Sequence, residues 1–334
     1  MPLASGLGSQ FGLAKETVAY GTVATPTRFF EFDSESLSLD QTYEDSVGLR
    51  ANRTFQPSLR SKLTTRTAGG DVAMDVPTKG FGAVLDLLHG LTVAPVQVGA
   101  TPAYTQTHVI GTSQPNKSAT LQVNKPTVEA ADQAFTYPGA VLQSASFDID
   151  TGGLLKTSLG WLAQDELLPT TTPAGPALAT ATYASGIESW DFTQALVTIT
   201  GQTVGCVRQI SLGYEQPLAD DRWCLSRSAT RLKPVPNGFA TIEGSMTIEW
   251  FNTSAYNLFR SGAYVEVILD AEGSVISGAN KHKITFTISA AQIRGSSPTV
   301  SGPDLLSIDV PFVARDNGVA APLQITYVST DTTL

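Results

Sequence analysis

The chain has 334 residues, 42% hydrophobic and 15% charged, which is enough apolar mass for one large core or two ordinary ones and unlike a disordered or fibrous chain. A formal net charge of -9 argues against a surface built to grip nucleic acid, because phosphate contacts need clustered Lys and Arg. Cys206 and Cys224 are the only cysteines, too few for a disulfide framework and without C-x-x-C metal spacing, so two thiols in a reducing compartment are expected.

Frequent Gly and Pro, many Thr and Ser, and no long Ala/Glu/Lys/Leu blocks predict a mainly β chain of strands joined by turns, with helix a minority. In chain order, Met1 to Ala14 lacks the basic start and apolar run of a secretory signal, and no later window reaches the ~18 apolar residues of a membrane span. The expectation is a cytosolic protein without a membrane partner. Gly6 to Gly12 has a loose Gly-x-Gly look, but no strand precedes it, so it reads as a lead-in and not a dinucleotide turn.

Gln41 to Gly69 is a long polar stretch carrying Arg50, Arg53, Arg60, Lys62 and Arg66. A connection of that length is usually functional or a β-hairpin arm, and its basic residues in an acidic chain suit an arm that reaches a neighbouring subunit. A hairpin that is merely solvated is the plainer alternative. Gly70 to Val76 then alternates, with Val72, Met74 and Val76 on one face and Asp75 on the other. The spacing of Val84, Leu87 and Leu88 before His89-Gly90 predicts a short helix, with His89 near its terminal carbonyls.

Ala140 to Gln164 reads as strands, with Asp148 and Asp150 alternating against Ile149. Asp165 to Gly186 has no hydrophobic period and reads as a linker, giving domains at 1-165 and 187-334 joined by 166-186. Beyond it, Gln216 to Glu243 is a second long polar stretch with Arg222, Arg227, Arg231 and Lys233. Gly244 to Trp250 matches Gly70 to Val76 and sets Glu249 at the place of Asp75. Tyr256 and Phe259 before Ser261-Gly262 repeat the helix signal. Ala291 to Arg315, containing Asp309, aligns without gaps to Ala140 to Gln164. Two matches in the same order around one short helix point to tandem duplication of a strand-helix-strand module.

No constellation for catalysis appears. His89, His108 and His282 have no H-x-x-x-H or H-x-E companion, and no nucleophile is paired with a base, so neither an enzyme nor a metal or cofactor site is expected. Asp148 and Asp150 as a calcium or catalytic pair is the less common reading of a wet strand face. Phe29, Phe30, Phe32, Trp161, Trp190, Trp250 and Phe312 suit core or subunit packing better than a sugar platform.

Residues 9 to 37, with Lys15-Glu16-Thr17 and Tyr20-Gly21-Thr22 leading into Phe29-Phe30-Glu31-Phe32, resemble the opening of the major tail tube proteins of siphophages. Trp190-Asp191-Phe192, then Leu196 to Val204 and Val207 to Leu212, are similar to the hairpin that begins many tube domains, although Glu215-Gln216-Pro217 departs from the Asn-Asn of many relatives. The resemblance implies a structural virion protein with two packed antiparallel sheets and a flanking helix per domain, whose strands join those of neighbours into a barrel around a lumen. It implies a location in the virion tail after assembly in the host cytoplasm. A doubled domain implies trimeric, pseudo-hexameric rings stacked into a tube, with hexameric rings as the alternative. Tape-measure protein and viral DNA would occupy the lumen without sequence specificity, and tail terminator and tail-tip proteins would meet the ends. Under that resemblance Asp75, Asp148, Asp150, Glu249 and Asp309 are lumen candidates, because carboxylates repel phosphate, with the outside of the tube as the alternative, and the two basic stretches are inter-ring arms. A phage decoration or baseplate protein, or a carbohydrate-binding β-sandwich, is the rival.

Overall fold

In a computed structural model, residues 5-110, 117-127, 133-203, 205-225, 228-295, 297-300 and 302-334 are described. The first half contributes β1 (Phe11–Lys15), β2 (Arg28–Phe30), β3 (Ser34–Glu35), β4 (Ser38–Asp45), β5 (Ser61–Asp75), α1 (Gly82–His89), β6 (Gly90–Gln97), β7 (Tyr104–Ile110), β8 (Ala119–Lys125), β9 (Gln133–Asp150) and β10 (Lys156–Ala163). The second contributes β11 (Ala195–Ile199), β12 (Val207–Glu215), β13 (Leu218–Ala219), β14 (Val235–Pro236), β15 (Thr241–Glu249), α2 (Ser254–Ser261), β16 (Tyr264–Ser277), β17 (Asn280–Ile293), β18 (Ser307–Ala314) and β19 (Gln324–Ser329). The protein is thus mainly β, in antiparallel ladders, with one short helix after each of the two matched strands.

Period-two alternation decides which way each strand faces. Val72, Met74 and Val76 are fully buried, as are Met246 and Ile248, while the residues between them reach solvent. Both helices stop where the spacing predicts. Gly90 (φ 72°) donates to the Asp86 carbonyl and Gly262 (φ 63°) to that of Leu258, in the left-handed conformation that a side chain resists by about 1 kcal/mol or more. The His89 side chain lies outside the described residues.

The ladders build two packed layers. One runs β3/β4, β5, β10, β9, β12, β15, β18, and the other β11, β16, β17, β19, β7, β6. Phe147 of β9 meets Phe286 of β17 across the core at 4.8 Å between ring centroids, and Phe81 closes on Phe147 edge-on. The first eight residues of β9 belong instead to a side sheet with β8, β1 and β2. The two halves therefore share ladders, β9 with β12 and β19 with β7. The residues between them keep few backbone pairings but are fastened: Leu167 bridges Thr136, buried Gln122 bonds Ala177 and Ala179, and Trp190 is buried against Tyr327.

The stretches that match in sequence meet in the same register. In the first half Lys156 lies opposite Asp75, Leu159 opposite Val72 and Trp161 opposite Gly70. In the second, Ser307 lies opposite Glu249, Val310 opposite Met246 and Phe312 opposite Gly244. The correspondence extends to a pair of strands that sequence matching had not joined: Ser38 faces Gly69 as Gly213 faces Glu243. It breaks after Ile293, where β17 ends although its counterpart β9 continues to Asp150.

Candidate functional site

The outward face of the first layer is polar through both halves. Asp75, Asp148, Asp150, Glu249 and Asp309 all lie on it; Asp75, Asp148 and Asp309 have buried residues on both sides, and Asp150 and Glu249, at strand ends, follow buried Ile149 and Ile248. Asp71, Glu215 and Glu243 join them by the same parity. Asp71 shares the parity of Asp75, whereas Glu243 closes the stretch that read as a polar arm and Glu215 immediately precedes it.

Against these carboxylates the same face carries Lys156 and Arg208. Lys156 reaches Asp33 at 2.8 Å and Asp75 at 3.6 Å, and Arg208 reaches Glu249 at 2.7 Å. Asp71, Asp148, Asp150, Glu215, Glu243 and Asp309 have no ion pair among the described residues, and Asp309 accepts from the Thr247 hydroxyl at 2.8 Å. Two carboxylates about 7 Å apart on one strand repel by roughly 0.6 kcal/mol in water. A face under fold selection alone has no reason to concentrate them.

The first basic stretch is a β-hairpin, with Gln41 opposite Arg66 and Asp45 opposite Ser61. Its tip is apolar as well as basic: Val47, Leu49, Phe55 and Leu59 are all exposed, beside exposed Arg50, Arg53 and Lys62. Arg60 donates to the Gly48 carbonyl at 2.8 Å and braces the tip. Arg66 turns inward to Asp165 at 2.8 Å. Burial pushes the Asp165 carboxyl up, against the pull of that guanidinium.

In the second stretch Arg222 donates to the Lys233 carbonyl, and Trp223 Nε1 to that of Ala229 at 2.9 Å. Arg227 lies outside the described residues. Arg231 is only 2% exposed and donates through Nε and Nη2 to the Ala163 carbonyl (3.1 and 2.6 Å) and through Nη2 to that of Ala68 (2.9 Å). It clasps the base of this arm to the middle of β5 and the end of β10, so its charge is spent within the subunit. Exposed Leu225 and Phe239 again put apolar groups on the arm.

His108 and Asp86 are held within the fold. His108 is buried between Thr92 and Gln106, and burial pulls its imidazole down to about 4. Burial raises the Asp86 carboxyl, but the Lys117 and Lys15 ammoniums outweigh it and hold it below the usual carboxylate range. Cys206 and Cys224 are exposed thiols. Among the described residues no group of three or more His, Cys, Asp and Glu is placed to hold a metal. The aromatics Phe29, Phe30, Trp161, Trp190 and Phe312 are in the core and Phe32 and Trp250 are packed against it, so they form no exposed row for a sugar.

A family profile described as "Phage tail tube protein" matches residues 6–314. No curated protein matches the chain.

Proposed function

The chain belongs to the phage tail tube protein family, and from that premise we propose that it assembles into stacked rings whose inner wall is the acidic face of the first layer, conducting DNA through the virion tail. The observation that carries this reading is the continuity of that face across both halves, joined by the β9–β12 ladder and ended, among the described residues, by the unpaired outer edge of β3/β4 and by β18, paired on its outer side only at Phe312 to Ala314. Open edges in a soluble subunit are an aggregation hazard unless paired, and a closed ring pairs them all. Carboxylates along the wall repel phosphate over a Debye length of about 8 Å, so DNA slides instead of sticking.

The equal registers of the two halves support tandem duplication of one tube unit, with units at 1-165 and 187-334 and a fastened linker at 166-186. Two units per chain make three chains the natural complement of a pseudo-sixfold ring, with six chains the alternative. The arms serve stacking: their exposed leucines, valine and phenylalanines suit an apolar seat on the next ring, and Arg50, Arg53 and Lys62 suit an acidic rim around it. Tape-measure protein in the lumen and terminator and tip proteins at the ends complete the partners, with assembly in the host cytoplasm.

Negative-stain microscopy of the purified chain tests the reading. Rings or tubes are expected, and a clean monomer at high concentration refutes it. Deleting Val47 to Lys62 is expected to leave folded subunits that no longer stack, and tubes of unchanged length would remove the arm from the proposal.

A further inference from the structure

Within the chain, the strand that joins the two tube units is the second part of β9. It lies between β10 and β12, with Ser146 opposite Ser158 on one side and Gly213 on the other, and Phe147 opposite Thr157 and Leu212. In the second half, β18 is the counterpart of β10, and on its outer edge only Phe312 to Ala314 are paired, with Ile293 to Ala291. Ser307 to Val310 have no ladder partner on that edge among the described residues. The ungapped match assigns Ser297, Pro298, Thr299 and Val300 to Ser146, Phe147, Asp148 and Ile149.

Those four residues are out of the sheet. Gly295 still runs beside β18, where an added Cβ would come 3.4 Å from the Asp309 carbonyl. Ser297 has moved to α2, its hydroxyl 3.3 Å from that of Tyr256. Val300 is 80% exposed where its counterpart Ile149 is 6% exposed. A half-strand whose twin is core, left outside the fold beside an open edge, is a strand awaiting its second neighbour.

The receiving edge is found by the same correspondence. β3 and β4 stand to β5 as β12 stands to β15: Ser34 opposite Ala73 and Ser38 opposite Gly69, as Gln209 opposite Thr247 and Gly213 opposite Glu243. Their outer edge faces no strand among the described residues. The Ser36 N–H bonds the Asp71 carbonyl, so the Leu37 backbone points the other way, outward.

We propose that Ser297 to Val300 complete the acidic sheet by pairing with β3/β4 of a second copy of this chain, in the register that β9 and β12 already hold. Ser297 then lies opposite Ser38, Pro298 opposite Leu37 and Val300 opposite Glu35. Pro298 disfavours a strand in general, since it offers no N–H to its partner. At this position none is needed: the Leu37 carbonyl already accepts from Tyr137 Oη at 3.0 Å and Lys125 Nζ at 3.2 Å. The Leu37 N–H, held by the Glu35 carboxylate at 2.8 Å, is free to exchange that partner for the Pro298 carbonyl. Each chain then supplies eight strands, and three chains supply about 24. At ~4.8 Å spacing and ~40° tilt these close on a backbone diameter of about 48 Å.

The inference rests on the ring reading, and a cross-link separates the two. The Gln216 N–H to Gln143 carbonyl and Thr151 N–H to Arg208 carbonyl bonds make the odd residues of β9 the ones that bond β12, so Ser146 and Gly213 form a non-hydrogen-bonded pair. Such pairs bring Cα atoms to about 4.5 Å, inside the disulfide range. With Cys206 and Cys224 changed to Ser, the S38C/S297C chain is assembled and then oxidised. The expected result is a ladder of disulfide-linked chains ending at a closed trimer on non-reducing gels, while the offset pair S36C/S297C stays monomeric. Amide exchange at Thr299 and Val300, compared before and after assembly in the unmodified chain, is expected to slow by at least tenfold. Tubes that form normally without the 38–297 link, and with exchange at Val300 unchanged, overturn this register and leave the ring reading standing. Failure of the unmodified chain to form rings overturns both.

Discussion

Replacing Arg231 with Met separates a clasp inside the subunit from a contact between subunits. The guanidinium makes three hydrogen bonds to two buried carbonyls, those of Ala68 and Ala163, and among the described residues it sits beside no carboxylate at ion-pair distance. Hydrogen bonds from a charged donor contribute roughly 1.5–3 kcal/mol each, offset by the cost of desolvating the cation, and each stranded carbonyl costs about 1–3 kcal/mol. Met refills the volume and returns some apolar contact, which leaves a net loss of about 3–4 kcal/mol. For 334 residues the unfolding entropy near the midpoint is about 0.7 kcal/mol per kelvin, so Tm is expected to fall by about 5 °C. Thermal and urea unfolding of the unassembled fraction, isolated by size exclusion, measures it. A Tm within about 1 °C of the parent, together with lost assembly, would show that Arg231 acts between subunits and that the clasp reasoning is wrong.

His108 titrates near 4 in the fold against an unfolded value of 6.5, so its contribution, about 3 kcal/mol, is fully present above pH 6.5 and is lost as pH falls towards 4. H108Q is expected to flatten the stability profile across that window, and an unchanged slope in urea titrations at pH 4–7 would refute the assignment. The combined variant D148N/D150N/E249Q/D309N is expected to assemble normally and to retain duplex DNA in its tubes in a salt-sensitive way; tubes that still exclude DNA at low salt would remove these residues from the wall. Changing Phe55 and Leu59 to Ser is expected to shorten tubes without altering subunit Tm by more than about 1 °C, since both side chains are exposed in the subunit. A Tm drop of several degrees would place them in the core of the arm instead.

Much of the fold was legible because it is written in short-range rules. Alternation at Gly70 to Val76 and Gly244 to Trp250 set strand faces, and the glycines after each helix set its end, without reference to anything distant. The five expected acids share one face for the same reason: parity along a strand is local, and the ladders align the strands. What was not legible depends on distant partners. Nothing near Arg231 says that it will be buried, because the carbonyls that receive it are 68 and 163 residues away. Arg66 turns inward, unlike exposed Arg50, because Asp165 lies within reach of its guanidinium and its backbone N–H is held by the Ala229 carbonyl. Counting charge in the arms therefore overstated their basic surface and missed that their tips are apolar, since Val47, Leu49, Phe55 and Leu59 are spread through a stretch with no period. The β6–β7 hairpin has no counterpart in the second half, so internal matching was silent on the ladder by which it ties β19 to the first half.

The two unit junctions differ in a way that protects the free subunit. Inside the chain the joining strand carries Phe147 and Ile149, is paired on both sides, and is made once, during folding. At the chain's outer edge the same places hold Pro298 and Val300, beside Gly295 at φ 139°. Proline and glycine are the residues that blunt an edge against indiscriminate pairing. A sequence as sticky as that of β9 at this position would present an open template to any passing strand, whereas in the pairing proposed above this one selects its partner: an edge whose carbonyl opposite the proline is already supplied by other donors. If the two halves arose by the duplication proposed above, it made this division possible, because only with both copies in one chain can one junction be optimised for permanence and the other for selectivity.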